Sequence, residues 1–146
     1  MKKTILLFVV TCMAGALSAQ VDSKAIGLRL TYGGEVSYQH PLSSSNRIEA
    51  NLGYGFGDYG VGLSGAYQWV WDLSALATGF NWYAGVGAGV SFGDDFYARG
   101  LGQIGIEYNF NIPLQISIDY RPSLYFVGPT TGYGASDAAF SVRYKF

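Results

Sequence analysis

The sequence predicts an all-β protein: an eight-stranded antiparallel up-and-down transmembrane β-barrel, preceded by a cleaved signal peptide. Three observations lead to this fold class. After Gln20, apolar and polar residues alternate with period 2, and no stretch follows the 3.6-residue period of a helix. Eight such segments are 8–13 residues long, whereas about 9–11 tilted residues span a bilayer. Aromatic residues stand at the ends of their apolar faces, as expected at lipid–water boundaries.

Residues 1–19 have the pattern of a signal peptide, and residues 20–146 are predicted to form the barrel domain. The segment begins with two lysines, continues with an apolar core and ends with small residues up to Ala19. Its apolar stretch is 16 residues long, shorter than the roughly 20 that a transmembrane helix needs. We expect cleavage before Gln20, with cleavage after Ala16 or Ser18 as alternatives. Lipidation at Cys12 is disfavoured because Thr11 fits poorly before the cysteine.

The first four predicted strands cover residues 25–32, 35–42, 47–56 and 61–71. Alternate positions in each strand are apolar, which makes one face of the strand apolar. In chain order these positions are Ile26, Leu28, Leu30 and Tyr32; Val36, Tyr38 and Leu42; Ile48, Ala50, Leu52, Tyr54 and Phe56; and Val61, Leu63, Tyr67, Trp69 and Trp71. Glycine-rich or serine-rich turns separate these strands, which is typical of hairpins.

The last four predicted strands cover residues 80–92, 99–110, 114–123 and 137–146. Their apolar faces contain Phe80, Trp82, Ala84, Val86, Ala88, Val90 and Phe92; Ile104, Ile106, Tyr108 and Phe110; Leu114, Ile116, Ile118 and Tyr120; and Ala138, Phe140, Val142, Tyr144 and Phe146. Residues 111–113 are predicted to be a connection at the end that the termini share, and residues 93–98 and 124–136 are predicted loops at the opposite end. Except for residues 124–136, the loops opposite the termini are short for a membrane barrel.

Charged side chains lie on the polar faces and none on the apolar faces, and ten of them form the candidate group. They are Arg29, Glu35, Arg47, Glu49, Arg99, Glu107, Asp119, Arg121, Arg143 and Lys145. The lumen of an eight-stranded barrel is just wide enough for side chains to fill it, and buried charges must be paired. We therefore predict a salt-bridge network that plugs the lumen. A secreted soluble barrel with its apolar face inside is the alternative architecture.

A second group of aromatic residues lies in or near the loops opposite the termini. Packing within the loops and against lipid headgroups would explain it. The functional alternative is a contact surface for an extracellular ligand or protein. The group consists of Tyr59, Phe96, Tyr97, Tyr125, Phe126 and Tyr133.

No catalytic, cofactor-binding or metal-binding residue is predicted, and we expect no enzyme activity. His40, the only histidine, is expected on the apolar face beside Tyr38 and Leu42, without a nucleophile or carboxylate. Residues 85–89 are glycine-rich but lack the strand–turn–helix setting of a phosphate site. Asp94 and its neighbouring aspartate resemble solvated loop acids rather than a cation site. The formal charge is −1, which leaves no basic face for nucleic acid.

The last strand reads Phe140-Ser-Val142-Arg-Tyr144-Lys-Phe146, with a terminal phenylalanine. It resembles the closing strand of outer-membrane β-barrel proteins, and the whole predicted mature chain resembles small barrels of the OmpA/OmpX/OmpW type. The resemblance implies an integral protein of a Gram-negative outer membrane, with both termini periplasmic. It also implies that the barrel-assembly machinery reads Phe140, Val142, Tyr144 and Phe146. The chain departs from OmpX-like proteins in its short outer loops, and we expect no peptidoglycan-binding domain after the last strand.

The leading functional expectation is a non-enzymatic barrel with a plugged lumen and a structural or surface-interaction role. A narrow channel or transporter for small apolar solutes is the alternative. It would need a continuous lumen or a lateral opening, and Pro122 is the only sequence feature that suggests an interruption of the barrel wall. A lipid-modifying enzyme is a third possibility, for which His40 alone is too little. We expect outer-membrane lipid and the assembly machinery as partners, and no cofactor.

Overall fold

The computed structural model of the chain describes residues 21, 23–55, 60–128, 132–133 and 137–146. The predicted signal peptide, Phe56, Asp58 and Tyr59 therefore lie outside the described residues. The strands are β1 (Ala25–Leu30), β2 (Gly33–Pro41), β3 (Asn46–Gly55), β4 (Val61–Asp72), β5 (Phe80–Phe92), β6 (Phe96–Asn109), β7 (Leu114–Arg121), β8 (Ser123–Val127), β9 (Gly132–Tyr133) and β10 (Asp137–Lys145). The part of the chain that the structure describes contains no helix long and apolar enough to cross a membrane.

The strands form one antiparallel sheet that closes on itself. Consecutive strands pair from β1 to β7, and β10 pairs with both β1 and β7. The β5–β6 pairing completes the ring, with its register running from Phe80 opposite Tyr108 to Phe92 opposite Phe96. Since β7 and β8 lie end to end along β6, the barrel wall has eight strand positions. The predicted eight-stranded antiparallel barrel is confirmed.

The seventh predicted strand is broken at Pro122, and the loop predicted for residues 124–136 is partly strand. Proline cannot donate to a ladder, but its carbonyl accepts the N–H of Gly102 at 2.9 Å, and the chain resumes as β8 beside β6. A β-bulge shifts the β6–β8 register between Ala98 and Arg99. The strand β6 also begins three residues before the predicted Arg99, and the rings of Phe92 and Phe96 pack at 5.2 Å beside its start.

Polar residues occupy the interior of the barrel and apolar residues its outer surface. Among the described residues, 17 buried residues are polar or charged, whereas six are hydrophobic. Leu28, Leu52, Ile106 and Ile118 are more than half exposed on the outside. The alternative with the apolar face inside is therefore wrong.

Aromatic side chains pack in pairs at one end of the barrel. We call the end with the chain termini and the β2–β3, β4–β5 and β6–β7 turns the termini end, and the opposite one the distal end. At the termini end Trp71 stacks on Trp82 with ring centroids 4.2 Å apart, and Phe80 packs on Tyr108 at 4.8 Å. These aromatic pairs lie on the outer face of the wall.

Candidate functional site in the barrel interior

The interior contains a network of charged side chains that come from strands all around the wall. Successive residues of a strand point to opposite faces. Every second residue of each strand therefore points into the lumen, and most of these residues are polar. Arg29, Arg121 and Arg143 are completely buried there and come from β1, β7 and β10. Glu49 of β3 faces them and is also completely buried.

Glu49 is the centre of this network. Its two carboxylate oxygens accept hydrogen bonds from Arg121 Nη2 at 3.1 Å and Arg143 Nη2 at 3.2 Å. Four side-chain amides also donate to it at 2.9–3.3 Å: Gln39, Asn51, Gln68 and Gln103. Six donors on one carboxylate offset the cost of removing its charge from water.

A separate ion pair, formed by Arg47 and Glu107, lies between Glu49 and the termini end. The guanidinium of Arg47 donates to both oxygens of Glu107, at 3.1 and 2.6 Å, and its Nε donates to Gln68 at 2.6 Å. The same guanidinium lies 5.0 Å from the centre of the Tyr83 ring. The bidentate geometry fixes the orientation of both partners.

A third cluster lies nearer the distal end around Arg29. Its guanidinium contacts Asp119 at 2.6 and 3.2 Å, Glu35 at 3.0 Å and Asp137 at 3.0 Å. Arg121 Nη1 lies 3.5 Å from the same Glu35. Asp137 was not among the predicted network residues. Its odd-numbered position in the last predicted strand, which places it on the face of Arg143, is the signal that could have found it.

Two of the ten predicted network residues are not joined to it by ion pairs. Among the described residues, the ion pairs include neither Arg99 nor Lys145. Arg99 donates to the Ser123 hydroxyl at 3.2 Å. Lys145 lines a small cavity at the termini end. The other eight residues are brought together.

Tyr83 is an interior residue that the sequence analysis missed. It is buried on the inner face of β5, directly opposite Gly105 of β6. A Cβ atom at position 105 would lie 2.6 Å from the tyrosine ring, so the glycine provides the space that the ring occupies. The odd-numbered position of Tyr83, opposite in face to Trp82, could have identified it.

The aromatic residues proposed as a distal contact surface lie on two faces. Tyr97 packs edge-on against Tyr125 at 5.7 Å, and Tyr125 is in register with the inward Arg99. Phe96 and Phe126 are exposed on the outside. Tyr133 belongs to β9, where its backbone pairs with Leu124, and Tyr59 lies outside the described residues. The described members thus do not form a single surface.

The remaining predicted positions lie on the exterior. Phe140, Val142, Tyr144 and Phe146 are all exposed along the last strand and its end. His40 is exposed as well, and the Tyr38 hydroxyl lies 3.1 Å from its Nδ1. In the described ranges, no group of three or more His, Cys, Asp or Glu residues could hold a metal ion.

No protein-family model matches the chain, and neither a curated protein nor a solved structure matches it significantly.

Proposed function

We propose that this protein is a small integral β-barrel of a Gram-negative outer membrane, with a plugged lumen and a structural or surface-interaction role. The observation that carries the proposal is the inverted distribution of side chains, with a charged interior and an apolar exterior. A soluble protein would leave this apolar exterior in water at a cost of about 25 cal/mol for each Å² of apolar surface. Lipid removes that cost, and a lumen lined with polar groups is typical of membrane barrels.

The height of the apolar exterior matches a bilayer. On β5, Phe92 at the distal end lies ten positions after Trp82 at the termini end, and the outward residues between them are alanine or valine. At a rise of about 3.3 Å per position and a tilt of about 40°, this distance spans about 25 Å, the height of the apolar band in outer-membrane barrels. The closed sheet also leaves the backbone paired around the wall, which the interior of a membrane requires.

The last strand resembles the closing strand of outer-membrane β-barrel proteins, and this resemblance extends the proposal to biogenesis. We expect the barrel-assembly machinery to recognise its outward residues Phe140, Val142, Tyr144 and Phe146, and both termini to lie in the periplasm. The strand pairs with β1 on one side and β7 on the other, so its docking closes the barrel.

The proposed location is tested by extracting cell membranes. We expect the protein to stay in the membrane pellet after washing with alkaline carbonate, because the apolar exterior prefers lipid, and to enter the supernatant only with detergent. Immunoblotting of the fractions is the measurement. Release by carbonate alone, in the same sample that retains a known integral barrel, would contradict the proposal.

The plugged lumen is tested by electrical recording. Because Glu49, Arg121 and Arg143 meet across the interior, we expect the purified protein in a planar bilayer to show no steady open conductance. A porin reconstituted under the same conditions is the control. A stable conducting step from the protein itself would instead support the channel alternative.

A further inference from the structure

Val21, which precedes β1, lies at the termini end of the barrel beside the β2–β3 turn. The N–H of Val21 donates to the carbonyl of Ser44, in the β2–β3 turn, at 2.9 Å. The side chain of Val21 packs against the pair of Val70 and Tyr83 on the inner faces of β4 and β5. Since β4 and β5 are three and four strand positions away from β1, Val21 contacts side chains that come from the part of the wall opposite β1. We call Val21, Ser23 and Lys24 the N-terminal strap.

Val70 and Tyr83 form an apolar contact surface for Val21 inside a mainly polar lumen. Both are buried almost completely. The N–H of Val70 donates to the carbonyl of Ser45 at 2.8 Å, so the turn that holds Val21 is also tied to this contact surface. An apolar pair near the open end of a polar lumen would otherwise contact water, and the valine side chain covers it.

The strap also forms part of the wall of a cavity beside the Arg47–Glu107 ion pair. Val21 and Ser23 line a cavity of about 10 Å³ together with Arg47, Glu107 and Lys145, which is room for about one water molecule. Displacing the strap would remove part of this wall. The Arg47–Glu107 pair would then be exposed to bulk water at the termini end.

We propose that the N-terminal strap is a stopper that seals the lumen at the termini end and is seated by Val21 on Val70 and Tyr83. When Val21 leaves Val70 and Tyr83, water and small solutes enter the lumen from the termini end. They reach as far as the Glu49-centred network, which still blocks the rest of the lumen. That the termini end faces the periplasm rests on the proposed function, whereas the seal itself does not.

The first test is amide hydrogen exchange of the folded protein in detergent micelles. Val21→Asp places a charge on the apolar contact surface, so the N–H groups of Val21 and Val70 should exchange faster, while that of Ile118 in the wall does not change. Leu76→Asp is the matched control, because Leu76 is 81% exposed in the β4–β5 turn at the same end. We expect the control to leave all three amides as they are.

The second test measures access to the cavity. Gln115→Cys places the single thiol of the predicted mature barrel at a buried position that lines the cavity, and its reaction with a small methanethiosulfonate is timed. Val21→Asp should accelerate the reaction by about tenfold, the factor that losing the burial of one valine side chain produces. Val21→Ala, a milder change, should act in the same direction and covers the case in which the aspartate variant does not fold.

Unchanged exchange and reaction rates in folded Val21 variants would overturn the proposal. Equal acceleration of amide exchange and of the cysteine reaction by Leu76→Asp would also overturn the proposal. Any charge in the turns at the termini end would then open the cavity, whether or not it touches Val21. Both tests use the folded barrel in micelles, so their failure is distinguishable from a failure of the membrane extraction test.

Discussion

Replacing Glu49 with glutamine is expected to lower the free energy of unfolding by about 3–5 kcal/mol, the cost of leaving buried charges without their partner. Glutamine has nearly the same shape but carries no charge. Arg143 would lose its only carboxylate partner among the described residues, and Arg121 would keep only the 3.5 Å contact with Glu35. Urea unfolding of the protein in vesicles, followed by tryptophan fluorescence, is the measurement.

Glu35→Gln is the matched control for this prediction. The Glu35 side chain is 17% exposed, and its main partner Arg29 keeps Asp119 and Asp137. We expect a loss of about 1 kcal/mol, typical of one hydrogen bond. Equal losses for the two variants would show that Glu49 is not the centre of the network, and a fully stable Glu49→Gln variant would show that the interior is hydrated.

Ile118→Arg is expected to lower stability in lipid vesicles by about 2–4 kcal/mol, the cost of arginine on the lipid face near the membrane midplane. Ile118 is 64% exposed, and its cross-strand neighbours Phe140 and Ile106 also face outward. The arginine would therefore enter an apolar surface with no acidic partner beside it. Equilibrium unfolding of protein folded into vesicles measures the loss.

Leu76→Arg is the control for the position in the membrane. Leu76 lies in the β4–β5 turn and is more exposed than Ile118, but it is outside the proposed apolar band. We expect a change of about 0–1 kcal/mol, as found near the interfaces. If Ile118→Arg folded into vesicles as stably as the unsubstituted protein, the apolar exterior would not face lipid.

Much of the fold could be predicted because strand alternation is a local property. The period-2 pattern places Val36, Leu63 and Ile118 on one apolar face, and the structure shows that this face is the outer one. The break at Pro122 and the hairpin of β8 and β9 were not predicted. Whether a chain continues in the sheet after a proline depends on the neighbouring strand, here the carbonyl of Pro122 accepting the N–H of Gly102.

The interior was predicted as a set of residues but not as a set of contacts. The strand alternation alone places the charged side chains on one face of the wall, because each residue's face follows from its position in the strand. The pairing of Arg47 with Glu107, 60 residues away, and of Arg29 with Asp137, 108 residues away, follows only from the folded barrel. These partners depend on the strand register and on the closure of the sheet. The same closure brings Val21 into contact with Val70, a contact that no local pattern encodes.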